Sequence, residues 1–168
     1  MSSKVVSAED MTKPIIRKKS ISASNAGDLK AVIDAGEFGT FVTDEPIAHG
    51  GGSEGPSPLQ AVLGALCGCE SVTFSRTAAE YDFKYSGIEY EAMFTIDIRG
   101  RKGVRGVVPH FQTVRMQANV TTDETEERLA EVVEETEARC PVYNLLSDAG
   151  VKVETVWVRH TTAAAANA

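Results

Sequence analysis

The sequence predicts an α+β fold with the element order βββ-α-ββ-α-α-β. Three observations support this order: short β-type runs precede residue 44, a long apolar helix follows Pro58, and two alternating strands come after residue 87. Strands and helices do not alternate regularly as they do in parallel α/β proteins. We therefore expect antiparallel sheet on one side, with helices packed against it.

The chain of 168 residues has the composition of an ordinary globular protein, with 42% hydrophobic and 24% charged residues. We predict a single domain over 14–160, a loose leader over 1–13 and a frayed tail over 161–168. The sequence has no signal-peptide pattern and no apolar run long enough to span a bilayer, so we expect a cytoplasmic protein without a membrane partner. The net charge of −7 argues against nucleic acid as the main partner.

The first strands are predicted to form an antiparallel meander. Their β-type runs cover 15–22, 28–34 and 39–43, and turn-rich segments separate them. The segment Asp44-Glu45-Pro46 ends the meander.

A long buried helix is predicted to start at Pro58. Ser57 is a favourable N-cap, Pro58 suits the first helical position, and Gln60 lies where a capping box places its glutamine. Apolar residues recur at three- and four-residue steps and predict an inward stripe: Leu59, Val62, Leu63, Leu66, Cys69, Val72 and Thr73. Gly64 and Gly68 lie on other faces, and each costs about 1 kcal/mol relative to alanine. Close packing of a second subunit would offset this cost, so we expect an obligate homodimer.

The second half of the chain alternates more clearly. The predicted elements are strands over 88–99 and 113–120, a helix over 123–139, one or two helical turns over 142–147, and a final strand over 151–159. Thr122 or Asp123 is the expected cap of the helix. Cys140 lies at its last turn, and Pro141 breaks the chain there.

The side chains that could carry chemistry are few. The three histidines, His49, His110 and His160, are isolated in predicted loops or at a strand end, so no zinc site or Ser-His-Asp set can be assembled from them. Cys67 and Cys69 project about 200° from each other on a helix and cannot share one small site. Three cysteines in a cytosolic chain are not a disulfide framework, so any pairing is expected to be redox chemistry.

Four further segments of the chain are informative: DEP at 44–46, GPSP at 55–58, LGALCGC in the long helix, and RCPVYNLL at 139–146. Together they resemble the OsmC/Ohr family of thiol-dependent hydroperoxide reductases. The most specific are GPSP, with a cysteine fourteen positions after Gly55, and the later Cys-Pro pair. The similarity extends from about residue 15 to residue 159. In the family's pattern the first cysteine aligns with Cys69, not with Cys67, and the second with Cys140.

The resemblance implies an intertwined homodimer, in which antiparallel sheets wrap two long central helices and two active sites lie at the subunit interface. It also implies reduction of organic hydroperoxides and protection against oxidative stress. The Cys69 thiolate would attack the peroxide, Cys140 would condense with the resulting sulfenic acid, and an external dithiol would restore the enzyme. The family's mechanism requires no metal, haem, flavin or other cofactor.

In hydroperoxidases of this family an arginine from the N-terminal segment holds the thiolate, and a glutamate early in the long helix orients that arginine. Arg17 is the best match for the arginine, with Arg76 and Arg139 as alternatives, and Gln60 occupies the glutamate's position. The candidate catalytic residues are Cys69, Cys140, Arg17 and Gln60. A rival interpretation is a dimeric binding protein, whose interface cleft holds an apolar ligand and whose cysteines are bystanders.

Overall fold

The structure is a computed structural model that describes residues 12–162. The chain divides into two compact units, with the boundary between Pro58 and Leu59. The predicted leader and tail lie almost entirely outside the described residues. The α+β class and the predicted order of the main elements are confirmed.

The first unit is a three-stranded antiparallel sheet followed by a long loop. Its strands are β1 (Ser22–Ser24), β2 (Ala31–Asp34) and β3 (Thr40–Thr43), paired in the order β1-β2-β3. The meander is confirmed, but the first strand is not where the sequence predicted it. Residues 15–21 form no strand, because β2 pairs only with the three residues that directly precede the turn at Asn25.

The loop after β3 is organised by Asp44. Its carboxylate accepts hydrogen bonds from the backbone N–H groups of Glu45, Gly52 and Glu54, at 2.8, 2.9 and 3.2 Å. These bonds, and that from the Glu54 N–H most of all, lower the pKa of Asp44. A Cβ at Gly51 would lie 1.9 Å from the Glu45 carbonyl oxygen, so only glycine fits there. The DEP segment thus shapes the chain that leads into the long helix.

The second unit packs helices against a three-stranded sheet. Its elements are α1 (Pro58–Glu80), β4 (Gly87–Ile96), α2 (Ile98–Arg101), β5 (Phe111–Thr121), α3 (Glu126–Arg139), α4 (Pro141–Asp148) and β6 (Lys152–His160). The strands are paired in the order β4-β5-β6. No helix in the described chain combines the length and the apolar character needed to cross a bilayer.

The core of this unit consists of two apolar clusters along α1. The first joins Leu63 and Leu66 to β5 and α4, and the second joins Phe74 and Ala78 to β5 and α3. Trp157 of β6 packs against both clusters and stacks on Phe74, with ring centroids 5.2 Å apart. The long helix and β5 therefore contribute to both parts of the core.

Helix α1 begins at Pro58 as predicted, but its buried face differs from the predicted stripe. The buried residues are Leu63, Leu66, Glu70, Phe74, Thr77 and Ala78. Val62 and Val72, which the stripe included, are 38% and 52% exposed. The helix is apolar on nearly every side, so the hydrophobic pattern could not decide which face turns toward the sheet.

The sheet of the second unit is mixed. Strands β4 and β5 form the predicted antiparallel hairpin, whereas β6 pairs parallel to β5. A parallel neighbour needs a crossover, which α3 and α4 provide. The predicted strand over 88–99 ends early, because the Asp97 carboxylate accepts from the Arg99 N–H at 3.0 Å and caps the short helix α2.

The N-cap of α3 also differs from the prediction. Thr125 is the cap, and its hydroxyl oxygen accepts from the Arg128 N–H at 3.3 Å. Thr122 is buried instead, and its hydroxyl donates to the Lys84 carbonyl oxygen. A threonine can cap a helix or close a loop, and tertiary contacts decided between the candidates.

Candidate active site

Cys140 lies at the junction between α3 and α4. Pro141 has no N–H and cannot continue α3, so the backbone of Cys140 takes an extended conformation with φ −73° and ψ 113°. The Cys140 N–H donates to the Thr136 carbonyl oxygen at 2.9 Å, and its sulfur accepts from the Tyr143 N–H at 3.5 Å. One residue thus ends the first helix and caps the second, and it is fully buried.

Asn144 holds this junction in place. Its Nδ2 donates to the carbonyl oxygens of Glu137 and Cys140, each at 2.9 Å. The Glu137 carbonyl has no helical partner, because Pro141 four positions later lacks an N–H, whereas the Cys140 carbonyl also accepts from the Asn144 N–H at 3.0 Å. The RCPVYNLL segment therefore contains both the cysteine and the side chain that fixes the backbone around it.

Cys69 is a neighbour of Cys140, since its side chain is one of the groups that raise the pKa of the Cys140 thiol. Cys69 is half-buried on α1, whereas Cys140 is buried. Burial raises the pKa of the Cys140 thiol well above its ordinary value; the Tyr143 N–H opposes this shift, and the Cys69 side chain adds to it. The structure thus brings together the two cysteines that the sequence singled out.

Cys67 has a different environment. Its side chain is half-buried and packs against the first core cluster. Burial raises the pKa of its thiol, and the nearby charge of Glu70 adds to this effect. Both factors disfavour a thiolate at Cys67.

Glu70, which directly follows Cys69, is a residue that the sequence analysis missed. Its side chain is 0% exposed, and neither carboxyl oxygen has a hydrogen-bond partner of ordinary geometry among the described residues. Burial raises its pKa to about 7, the adjacent Cys140 thiol lowers it somewhat, and the charge of Glu137 raises it. Its position four residues from both Leu66 and Phe74 was the available signal, because this spacing places it on the buried face.

Two further polar side chains from neighbouring elements lie close to Glu70. Oε1 of Glu137 accepts from Trp157 Nε1 at 3.0 Å and from the Thr155 hydroxyl. The Tyr90 hydroxyl is buried without a hydrogen-bond partner of ordinary geometry among the described residues; burial, then the charge of Glu70, raise its pKa, and the neighbouring Ser71 hydroxyl opposes this shift. We call Cys67, Glu70, Tyr90, Glu137 and Cys140 the core polar cluster. In the described chain, no three His, Cys, Asp or Glu side chains are grouped so as to hold a metal ion.

The basic candidates lie in different places. Arg17 is exposed in an irregular segment of the first unit, and Arg76 is exposed on α1. The guanidinium of Arg139 forms ion pairs with two glutamates, one on α1 and one on α3. Gln60 is exposed in the first turn of α1. The roles assigned to Arg17 and Gln60 stay predictions.

The family model described as OsmC-like protein matches residues 50–156. The chain belongs to the OsmC-like protein family. The match includes Cys69 and Cys140 and the helices that carry them. The recognition based on the GPSP and Cys-Pro segments is confirmed. No curated protein sequence matches this OsmC-like protein.

Solved structures share the fold of this OsmC-like protein. An OsmC-like protein from Mycoplasma pneumoniae matches with a TM-score of 0.75 and 18% identity, over 86% of this chain and 99% of its own. An organic hydroperoxide resistance protein from Elizabethkingia anophelis matches with a TM-score of 0.67 and 13% identity, over 88% of this chain and 100% of its own. Another, from Legionella pneumophila, matches with a TM-score of 0.65 and 13% identity, over 86% of this chain and 99% of its own. At these identities the likeness establishes the OsmC-like fold.

Proposed function

We propose that this protein reduces organic hydroperoxides with the thiols of Cys69 and Cys140. The observation that carries the proposal is the proximity of these two cysteines, one on the long helix and one at the α3–α4 junction. Two of the structures that share the fold are named organic hydroperoxide resistance proteins, which supports a peroxide as substrate.

The burial of the two cysteines suggests their roles. Cys69 is half-buried, so a small peroxide can reach its sulfur, whereas Cys140 is enclosed and suited to the second step. The Cys69 thiolate attacks the distal peroxide oxygen, the O–O bond breaks, and the alcohol leaves after taking up a proton. Cys69 becomes a sulfenic acid in this step, and the peroxide is reduced.

Cys140 then attacks the Cys69 sulfur, the S–O bond breaks, and a disulfide and water are formed. An external dithiol reduces this disulfide by thiol exchange and restores both cysteines. The cytoplasm, where such dithiols are kept reduced, is the compartment that suits this cycle. The cycle protects the cell against oxidative stress.

The reactive thiolate needs a compensating positive charge, because a thiol with an ordinary pKa is mostly protonated at neutral pH. We keep Arg17 as the proposed cation and Gln60 as the residue that orients it. Arg139 suits this role less well, because its charge is already compensated by two carboxylates. Arg76 stays an alternative.

A homodimer is part of the proposal. Gly64, Ala65, Gly68 and Val72 form an exposed face of small and apolar residues on α1. A Cβ placed on either glycine would meet nothing within 4 Å in its own unit. Such a face suits close approach of the same helix from a second subunit.

Sedimentation of the purified protein at micromolar concentration tests the dimer. Val72→Asp, which charges the exposed face, is expected to shift the protein toward monomer. Val104→Asp is the matched control, because Val104 is similarly exposed (48% against 52%) but lies in the connection between β4 and β5. A monodisperse monomer of the parent chain would remove the dimer from the proposal.

The function is tested by mixing the reduced protein with one equivalent of cumene hydroperoxide and counting thiols after unfolding. We expect the loss of two thiols per chain, and a Cys69–Cys140 disulfide by peptide mapping. Cys67 should remain open to alkylation. A protein that keeps all its thiols would favour the alternative of a dimeric binding protein for an apolar ligand.

Single cysteine variants separate the roles. Cys69→Ser is expected to abolish peroxide consumption. Cys140→Ser should react once and stop as the sulfenic acid, which dimedone traps, or be over-oxidised. Cys67→Ser is the control and should turn over like the parent. A mapped Cys67–Cys140 bridge, or a Cys67→Ser variant without turnover, would show that the nucleophile is wrongly assigned.

A further inference from the structure

Glu70 is an unusual residue for the centre of a core. Its carboxyl group is fully enclosed, and neither oxygen has a hydrogen-bond partner of ordinary geometry in the described chain. Burying an unpaired ionisable group is costly, and such groups occur preferentially where they serve chemistry. The cluster around it contains one reacting group of the proposed cycle, the Cys140 thiol.

The other titratable groups near Glu70 are less suited to accept a proton. The titratable side chains that influence it, or that it influences, come from several elements: Cys67 on α1, Tyr90 on β4, Glu137 on α3, Cys140 at the junction, and Tyr143 on α4. Glu137 already accepts hydrogen bonds from Trp157 and Thr155. Burial keeps both tyrosines neutral, since it raises the pKa of each. Glu70 is thus the carboxyl without a fixed partner.

Cys140 needs a base for the step assigned to it. An ordinary thiol is only a few per cent ionised at pH 7, and burial makes the thiolate of Cys140 rarer still. The Tyr143 N–H points at the sulfur and can support negative charge that develops there. What the backbone cannot supply is an acceptor for the proton.

We propose that the Glu70 carboxylate is the general base that accepts the thiol proton of Cys140 while Cys140 closes the disulfide with oxidised Cys69. This inference rests on the proposed function. The S–H bond of Cys140 breaks, its proton moves to Glu70, and the S–S bond forms as the S–O bond of the sulfenic acid breaks. The departing hydroxide takes the proton from Glu70 and leaves as water, so the carboxylate is regenerated. The Cys140 sulfur is oxidised, and the Cys69 sulfur is reduced.

The test follows disulfide closure separately from oxidation of Cys69. The reduced protein receives one equivalent of cumene hydroperoxide, samples are quenched with dimedone, and mass spectrometry counts sulfenic acid and disulfide between pH 5.5 and 8. In the parent, closure should accelerate as pH rises, with a midpoint near 7, because the carboxylate form is required. Glu70→Gln should close about 100-fold more slowly and lack this midpoint.

Two further variants test whether Glu70 acts through its carboxylate or only through its packing. Glu70→Asp keeps a carboxylate and should recover part of the rate together with a pH midpoint, which a purely structural role would not produce. Glu134→Gln removes an exposed carboxyl from α3 and should behave like the parent. A Glu70→Gln protein that closes at the parent's rate, or that keeps the parent's pH midpoint, overturns the proposal.

A second oxidant distinguishes failure of this inference from failure of the proposed function. Diamide adds to one thiol, and a second thiol then displaces the adduct to form a disulfide, so closure by Cys140 can be measured without peroxide. If the parent ignores hydroperoxide but closes with diamide in a Glu70-dependent way, the peroxidase function fails and the role of Glu70 stands. If no Cys69–Cys140 bridge forms with either oxidant, both are overturned.

Discussion

Replacing Glu70 with glutamine should change how the stability of the protein depends on pH. Glu70 is fully enclosed, and its pKa is about 7 in the folded chain, against an ordinary value of 4.5. Between these values the folded state holds a proton that the unfolded chain has released, so stability falls as pH rises through this interval. Each step of one in pKa corresponds to about 1.4 kcal/mol, so the ionised carboxyl costs about 3 kcal/mol above pH 7.

Urea unfolding from pH 4 to pH 8, at one fixed protein concentration, measures this effect. The difference in unfolding free energy between Glu70→Gln and the parent should grow by about 3 kcal/mol in favour of the variant, mostly between pH 4.5 and 7. Other carboxyls contribute equally to both proteins and cancel in the difference. Glu134→Gln, which alters an exposed carboxyl, should give a nearly constant difference. A constant difference for Glu70→Gln would refute the claim that its carboxyl is buried without compensation.

Three other substitutions test separate parts of the molecule. Arg17→Ala should raise the pH midpoint of Cys69 alkylation with little change in thermal stability, and identical alkylation profiles would exclude Arg17 as the activating cation. Phe74→Ala should lower the unfolding free energy by about 3–5 kcal/mol in urea, because the ring is fully buried between the aromatic residues that it contacts; a loss below about 1 kcal/mol would contradict this packing. Gly51→Ala should destabilise the protein by about 1–3 kcal/mol, since its Cβ would lie 1.9 Å from a backbone carbonyl oxygen. An unchanged urea midpoint would show that the loop adjusts freely.

Prolines in the sequence predicted two helix boundaries correctly, whereas the capping residue of α3 was predicted wrongly. The start of α1 at Pro58 and the break at Pro141 both follow from proline's missing N–H and fixed φ, which act whatever the rest of the chain does. The hairpin of β4 and β5 was equally predictable, because apolar and polar residues alternate along β4 and leave one face of the strand exposed to solvent. The pairing of Cys69 with Cys140 came from the resemblance to a family.

Properties that depend on the partners of an element were not predictable. An alternating strand has the same sequence pattern in parallel and antiparallel pairs, so the pattern of β6 itself did not indicate that it runs parallel to β5. In α1, apolar residues on almost every side concealed the buried face. Glu70 was overlooked because a charged residue normally indicates solvent, and only the positions of Leu66 and Phe74 show that it points inward.

The crossover from β5 to β6 contains Cys140, and the late position of this cysteine in the chain has a consequence for synthesis on the ribosome. Cys140 follows Cys69 by 71 positions, the difference between 140 and 69. At translation rates of about 5–20 residues per second, it is made roughly 4–14 s later. During that interval Cys69 exists without the cysteine that neighbours it in the finished protein, and β6, which packs Trp157 against both core clusters, has not yet been made. If Cys69 reacts with oxidants as we propose, a nascent chain that is oxidised in this window has no Cys140 with which to close its sulfenic acid.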